Sequence, residues 1–295
     1  MLAYVTGAAG FVGSWLTRHL RSSGDTVVGV DADIDVRDGA AVKESLTSVA
    51  PDVVYHLAGL AHVGRSWEDP APTFLVNALG TLNVLEAAVS CSDPPRVLVV
   101  SSAEVYGSAG GVQVTEDAPL RPVSPYASSK VAAEFLALQE HLGRGLAVVR
   151  ARPFNHVGPG QSAEFVVSAL ARRIVAAERA GGAGVPVGNL EAERDFTDVR
   201  DVVRAYRLLA ERGRAGEAYN VASGQATTVR DVADRLAALA TCRVELVPDR
   251  SLMRPVDVPV FLGDASRLRD ETGWAPEIPL EQTLVDVLEY WRSRD

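Results

Sequence analysis

The sequence predicts an α/β fold: a doubly wound parallel sheet followed by a smaller C-terminal α/β lobe. Three observations carry that expectation. Short apolar, β-branched runs alternate with stretches of helical periodicity over roughly the first 150 residues, as in βαβ units. The first of these runs opens onto a glycine-rich turn. Beyond about residue 152 the rhythm breaks into shorter strands, helices and proline-rich turns.

Taken in order, Leu2–Thr6 reads as the first strand and residues 11–23 as a helix. Thr26–Val30 is the second strand, closed by Asp31. Residues 52–56 and Arg96–Val100 repeat the strand pattern, with helices between them near 39–48 and 73–90. A helix over 125–142 leads to a strand at 147–150. Later helices fall near 163–180, 199–212, 229–240 and 281–294. There is no internal repeat and no low-complexity tail.

A chain of 295 residues suffices for one large domain or a domain with a smaller lobe. Its net charge of −9 argues against a general nucleic-acid binder. The two cysteines, Cys91 and Cys242, lie far apart, and the five histidines form no ligand motif. No metal is therefore expected, and a reducing cytoplasm is the easier fit. The N-terminus lacks the basic segment and long apolar stretch of a signal peptide. No uninterrupted apolar run reaches membrane-spanning length, so no membrane partner is expected.

Two constellations carry chemistry. The first is Thr6-Gly7-Ala8-Ala9-Gly10-Phe11-Val12-Gly13, between a strand and a helix. Gly7 allows a tight turn, Gly10 lets backbone amides approach a pyrophosphate, and Gly13 permits close helix–strand packing. Phe11 and Val12 open the helix. This is a Rossmann-like dinucleotide turn, so residues 1–152 read as the NAD(P)-binding domain and 153–295 as mainly substrate lobe. The chain need not cross only once between them. Asp31 suits a ribose 2′-hydroxyl, and no Arg directly follows it, so NAD is favoured over NADP, although Arg37 lies close by. Asp35 and Val36 would place a carboxylate and an apolar group against the adenine, or form a solvated acidic loop.

The second constellation starts at Ser101-Ser102-Ala103-Glu104, directly after the strand Arg96–Val100, where open α/β sheets bind ligands. Tyr126 and Lys130 follow, four apart, so on a helix they share one face. Lys130 is one of two lysines against twenty-seven arginines, and a guanidinium is no substitute for a compact point charge. The expected division of labour makes Tyr126 the proton donor. Lys130 lowers its pKa, and Ser102 polarises a substrate oxygen.

These segments resemble the extended short-chain dehydrogenase/reductase family of nucleotide-sugar epimerases and dehydratases. The resemblance covers almost the whole chain. It rests on the TGAAGFVG turn, His56-Leu57-Ala58, Asn77 in VNALGTLN, Tyr126-xxx-Lys130 and Arg152-Pro153-Phe154-Asn155. It implies that Leu57, Ala58, Asn77 and Pro153 join Tyr126 and Lys130 at the cofactor. The segments Arg152 to Gln161, Val187 to Asp201 and Arg254 to Asp257 resemble the GDP-4-keto-6-deoxy-D-mannose reductases of that family. What this implies is hydride delivery to C4 of a GDP-linked keto sugar. Asn155 and Arg194 would hold the diphosphate, and Arg254 with Asp257 the distal nucleoside. Arg65 and Ser66 would reach the sugar beside Ser102 and Glu104. For Arg65, Arg194 and Arg254 the alternative is an ordinary surface arginine in an Arg-rich chain. In dehydratases of this family a Glu matching Glu104 removes a proton α to the ketone, so Glu104 leaves 4,6-dehydration open beside reduction; the shared family motifs leave 4-epimerisation open as well. The resemblance further implies a homodimer formed through a four-helix bundle of the helices near 73–90 and 125–142.

Overall fold

The computed structural model describes residues 1–108, 110–182, 184–253 and 258–294. Its strands in chain order are β1 (Leu2–Thr6), β2 (Thr26–Val30), β3 (Val53–His56), β4 (Arg96–Val100), β5 (Val148–Pro153), β6 (Asn155–Val157), β7 (Gly184–Val187), β8 (Glu193–Asp198), β9 (Ala218–Val221), β10 (Ala226–Thr228), β11 (Glu245–Pro248) and β12 (Val260–Phe261). The helices are α1 (Phe11–Ser22), α2 (Gly39–Val49), α3 (Val63–Glu68), α4 (Pro70–Phe74), α5 (Gly80–Val89), α6 (Pro125–Arg144), α7 (Val166–Arg179), α8 (Val199–Arg212), α9 (Val229–Ala238), α10 (Ser266–Thr272) and α11 (Leu280–Arg292).

Six strands form one parallel sheet in the order β2-β1-β3-β4-β5-β9. Its central strands are apolar on both faces because helices cover both. Along β1 the side chains alternate. Ala3 and Val5 pack with Leu16 and Leu20 of α1 and Val202 and Leu209 of α8. Tyr4 packs with Val42 and Leu46 of α2 and Val84 and Leu85 of α5. All parallel strands end on one edge, and the loops leaving that edge carry the site.

The second lobe is built on β8, which pairs antiparallel with β10 and parallel with β12 and β6. Its apolar core is closed by α7, α9 and α11. A separate parallel pair joins β11 to β7. The chain does not stay in this lobe. The apolar face of α8 returns to α1, and β9 pairs with β5 at the edge of the first sheet.

Three details differ from the sequence reading. The helix near 73–90 begins earlier, with Pro70 at the first turn of α4, and a π-helical turn at Leu75–Leu79 interrupts it before α5. By length and composition the run Pro70–Val89 is apolar enough to cross a membrane. Here it packs against α2 and α6. The strand near 147–150 extends as β5 to Pro153, because its last residues pair with β9 as well as β4. Finally, α3 is too short to announce itself by periodicity; His62 Nδ1 caps it by accepting from the Arg65 amide at 2.9 Å.

Candidate active site

The glycine turn sits at the sheet's carboxyl edge. Gly7 has a φ of +69°, which L side chains rarely adopt. A Cβ on Gly13 would lie 2.0 Å from the Gly7 carbonyl oxygen, so only glycine lets α1 start this close to β1. Gly10 precedes α1 in extended conformation and supplies no side-chain cap. The first amides of α1, from Phe11 and Val12 onward, thus face outward at the positive end of the helix, a cradle for a diphosphate. Asp31 ends β2 and accepts from the Ala9 amide at 2.9 Å, which ties it to the same turn. Asp35 is exposed and locked to Arg37 at 2.6 Å; that guanidinium holds its carboxyl down to about 2. Val36 is buried, and its carbonyl accepts from Asn83 at 2.8 Å. These residues fit a dinucleotide whose diphosphate lies at α1 and whose adenosine ribose lies at Asp31.

Beside the turn opens a cleft of about 390 Å³. Val12, Leu57, Ser102, Glu104, Tyr126, Lys130, Pro153 and Asn155 all line it. Helix α6 starts where Ser124 Oγ accepts from the Ala127 amide at 3.1 Å, with Pro125 in the first turn. That start sets Tyr126 at the cleft and Lys130 one turn deeper, both more than nine-tenths buried. Tyr126 shares a hydrogen bond with Ser102. Lys130 Nζ donates to the Val100 carbonyl at 2.9 Å. A Cβ on Gly59 would come within 3.3 Å of that Nζ, so the loop after β3 is glycine where the lysine passes.

The electrostatics correct one expectation. The Tyr126 pKa is not lowered on balance in this arrangement. Burial pushes the phenol up to about 12, the Ser102 hydrogen bond opposes this, and the Glu104 carboxylate adds to the rise. Burial also pushes the Lys130 ammonium down to about 8, against the pull of Glu134. The tyrosine is a fully protonated acid, and the lysine is a cation close to neutrality.

Behind these groups lies a network that orients them. Glu134, one turn beyond Lys130, accepts from Ser101 Oγ at 2.5 Å and pairs with Arg152 at 2.6 Å, all buried. Arg152 also donates to Tyr106 Oη at 2.9 Å. His56 bridges Thr6 at 2.8 Å and Thr81 at 3.0 Å, and burial drives its pKa down to about 3, so it is neutral.

Several residues singled out in the sequence are engaged elsewhere. Asn77, in the π-helical turn, accepts from Leu60 N at 2.8 Å and donates to Leu60 O and Ser129 Oγ. Its amide pins the loop after β3. Ala58 donates its amide to Thr6 Oγ1 at 3.1 Å. Ser66 is 1% exposed; its Oγ donates to Val63 O and accepts from the Tyr126 amide. It anchors α6 and does not face the cleft. Arg65 is at the rim, ion-paired with Glu164 of the opposite lobe. Arg194 on β8 donates to the Glu193 and Val258 carbonyls at 2.8 and 2.7 Å, while its strand partner Phe261 lines the cleft. Arg254 and Asp257 lie outside the described residues.

The cleft has further walls that sequence reasoning missed: Trp67, Phe165, Tyr206 and Phe261. His156 and Gln161 also line it, within the segment Arg152 to Gln161 that carries the resemblance, although neither has a chemical role legible from the sequence. Phe11 stacks on His156, centroids 6.1 Å apart and planes 9° from parallel, which joins the turn to the second lobe.

Known proteins resemble this chain along its whole length. A family model described as GDP-mannose 4,6 dehydratase matches residues 32–287. GDP-6-deoxy-D-mannose reductase of Pseudomonas aeruginosa is 39% identical over 99% of this chain and 97% of its own length. The solved structure of RMD from Pseudomonas aeruginosa, complexed with NADPH, superposes with a TM-score of 0.93 at 38% identity, covering 100% of this chain and 99% of that one. UDP-glucose 4-epimerase of Thermus thermophilus, in complex with NAD, gives 0.88 at 29%, with both chains wholly covered. The chain belongs to the GDP-mannose 4,6-dehydratase family of nucleotide-sugar enzymes.

Proposed function

We propose that this enzyme reduces the C4 ketone of GDP-4-keto-6-deoxy-D-mannose to GDP-D-rhamnose with NADH or NADPH. The observation that carries the reading is the buried Tyr126, bonded to Ser102 and kept protonated at the cleft, with Lys130 one turn behind it. When bound, the reduced dinucleotide supplies the hydride. Ser102 hydrogen-bonds the carbonyl oxygen where negative charge develops. Tyr126 donates its phenolic proton to that oxygen, which completes the alcohol. The alkoxide of a secondary alcohol is more basic than a phenol, so a tyrosine held at about 12 gives up this proton readily. The Lys130 ammonium stabilises the phenolate left behind. Asn155 at the cleft and Arg194 on the neighbouring strand are the groups we assign to the substrate diphosphate; Arg254 and Asp257 are assigned to the nucleoside.

One observation favours a second reading, 4,6-dehydration, rather than the 4-epimerisation that the fold also hosts. Glu104 lines the cleft, where a base α to the ketone belongs. Both of those reactions begin by oxidising the sugar's alcohol, which needs Tyr126 as phenolate, and burial opposes that. The test mixes the enzyme with reduced cofactor and the 4-keto sugar nucleotide. Reduction consumes cofactor mole for mole, read as loss of its near-ultraviolet absorbance. Turnover of GDP-mannose with no net cofactor change sinks the proposal.

The assembly we propose is a homodimer through α5 and α6. Exposed apolar side chains support it: Leu75 and Leu79 on one run, Phe135 and Leu142 on the other. Two free cysteines, Cys91 and Cys242, suit the reducing cytoplasm as its place of work.

A further inference from the structure

We propose that the Tyr206 hydroxyl is a binding group for the nicotinamide half of the dinucleotide, hydrogen-bonded to its carboxamide. This rests on the dinucleotide reading above. Tyr206 belongs to α8, whose ring side packs into the core between the first sheet and α1. The residue is fully buried, and its Oη has no hydrogen-bond partner among the described residues. Such a group has given up hydration without compensation, whereas phenylalanine would fill the same space without that loss. Tyr55 in the same core has the same unpartnered hydroxyl, but it does not reach the cleft. Tyr206 does.

The rest of the wall identifies what passes by. Val12, in the first turn of α1, lines the same cleft, as do Pro153 and Phe154 at the end of β5. Tyr126 lines the same cleft as Tyr206. A dinucleotide with its diphosphate at α1 and its reacting ring beside Tyr126 lays its nicotinamide half along this stretch. The carboxamide is the polar substituent of that ring, and it offers both a donor and an acceptor to a hydroxyl that can serve as either. Burial drives the Tyr206 pKa far upward, so the hydroxyl stays neutral and acts in binding, not in proton transfer.

The test compares the wild type with Tyr206→Phe and, as control, Tyr55→Phe. Calorimetry gives dissociation constants for NADH, NADPH and ADP-ribose, which lacks the nicotinamide; thermal unfolding of the free protein is measured alongside. Tyr206→Phe is expected to weaken the preferred reduced dinucleotide about three- to tenfold. It should leave ADP-ribose affinity unchanged and the free protein as stable as before or more so. Tyr55→Phe should alter neither affinity. Equal dinucleotide affinity in Tyr206→Phe overturns the proposal, as does an equal loss for ADP-ribose. A fall in the free protein's melting temperature in step with affinity would reveal a merely structural role and also overturn it. A wild type that binds neither dinucleotide overturns the cofactor reading itself.

Discussion

Lys130 has two surroundings that pull its proton in opposite directions. Burial favours the neutral amine, and Glu134 favours the ammonium, with the balance at about 8 instead of 10.5. The group is charged below about pH 8 and loses its charge above. The ketone-reduction rate should therefore fall on the alkaline side with an apparent pKa near 8. Lys130→Met should abolish that limb and lower kcat by roughly 100-fold or more, with little change in substrate KM. A pH–rate profile for both enzymes checks this. The sign for stability is opposite to that of an ordinary paired lysine. Between about pH 8 and 10.5 the unfolded chain still holds the proton that the folded chain has lost, so stability rises across that window. Asp31 poses a second residue-level question. Its carboxylate, fixed to the Ala9 amide, would repel a 2′-phosphate, and the nearby Arg37 is already taken by Asp35. NADH should be the better cofactor, and Asp31→Asn should shift the kcat/KM ratio toward NADPH by about tenfold. A wild type that prefers NADPH would contradict this.

Helix α6 concentrates the chemistry because one face carries Tyr126, Lys130 and Glu134 at successive turns. That is why the reactive pair is legible in the sequence alone: its geometry is set by helical spacing, and Ser102 by its place at a strand end. Other parts depend on contacts between distant segments, which no local pattern marks. Asn77 is the right residue for this corner, but only the fold of the loop after β3 shows that its amide is spent on Leu60 and Ser129. Ser66 lies beside Arg65 in sequence yet is turned beneath α6, on a helix, α3, of only six residues. Tyr206 and Phe261 come from elements that reach the cleft only after the chain has crossed between lobes. The Glu134–Arg152 pair belongs to the same class. Removing its negative charge leaves Arg152 buried without a counter-ion. Glu134→Gln should destabilise the fold by about 3–5 kcal/mol, read from the urea midpoint at constant slope. It should also move the alkaline limb of the rate profile to lower pH, since Glu134 is what holds the Lys130 proton on.

On the scale of the whole molecule, several contacts stitch the two lobes together. The return of α8 and β9 makes the first sheet depend on the C-terminal half, and the Arg65–Glu164 pair spans the mouth between lobes. Among the described residues, α6 leaves an apolar surface uncovered. Phe135, Leu138 and Leu142 recur at positions three and seven apart on α6, an apolar stripe facing away from the sheet. Phe135 is 54% and Leu142 74% exposed, and the adjoining run presents Leu75 and Leu79. The two helical runs pack side by side, so both present exposed apolar side chains on neighbouring helices. A two-fold partner presenting the same patch would bury both stripes, four helices in all. Sedimentation of the wild type should then give a dimer at micromolar concentration. The double variant Phe135→Asp, Leu142→Asp would place two carboxylates on each side of the two-fold, and it should sediment as a folded monomer. The catalytic groups lie at the other end of the same helix, on the face turned toward the sheet edge, so the free monomer should still bind dinucleotide. A wild type that sediments as a monomer would show that this face is not where the chain assembles.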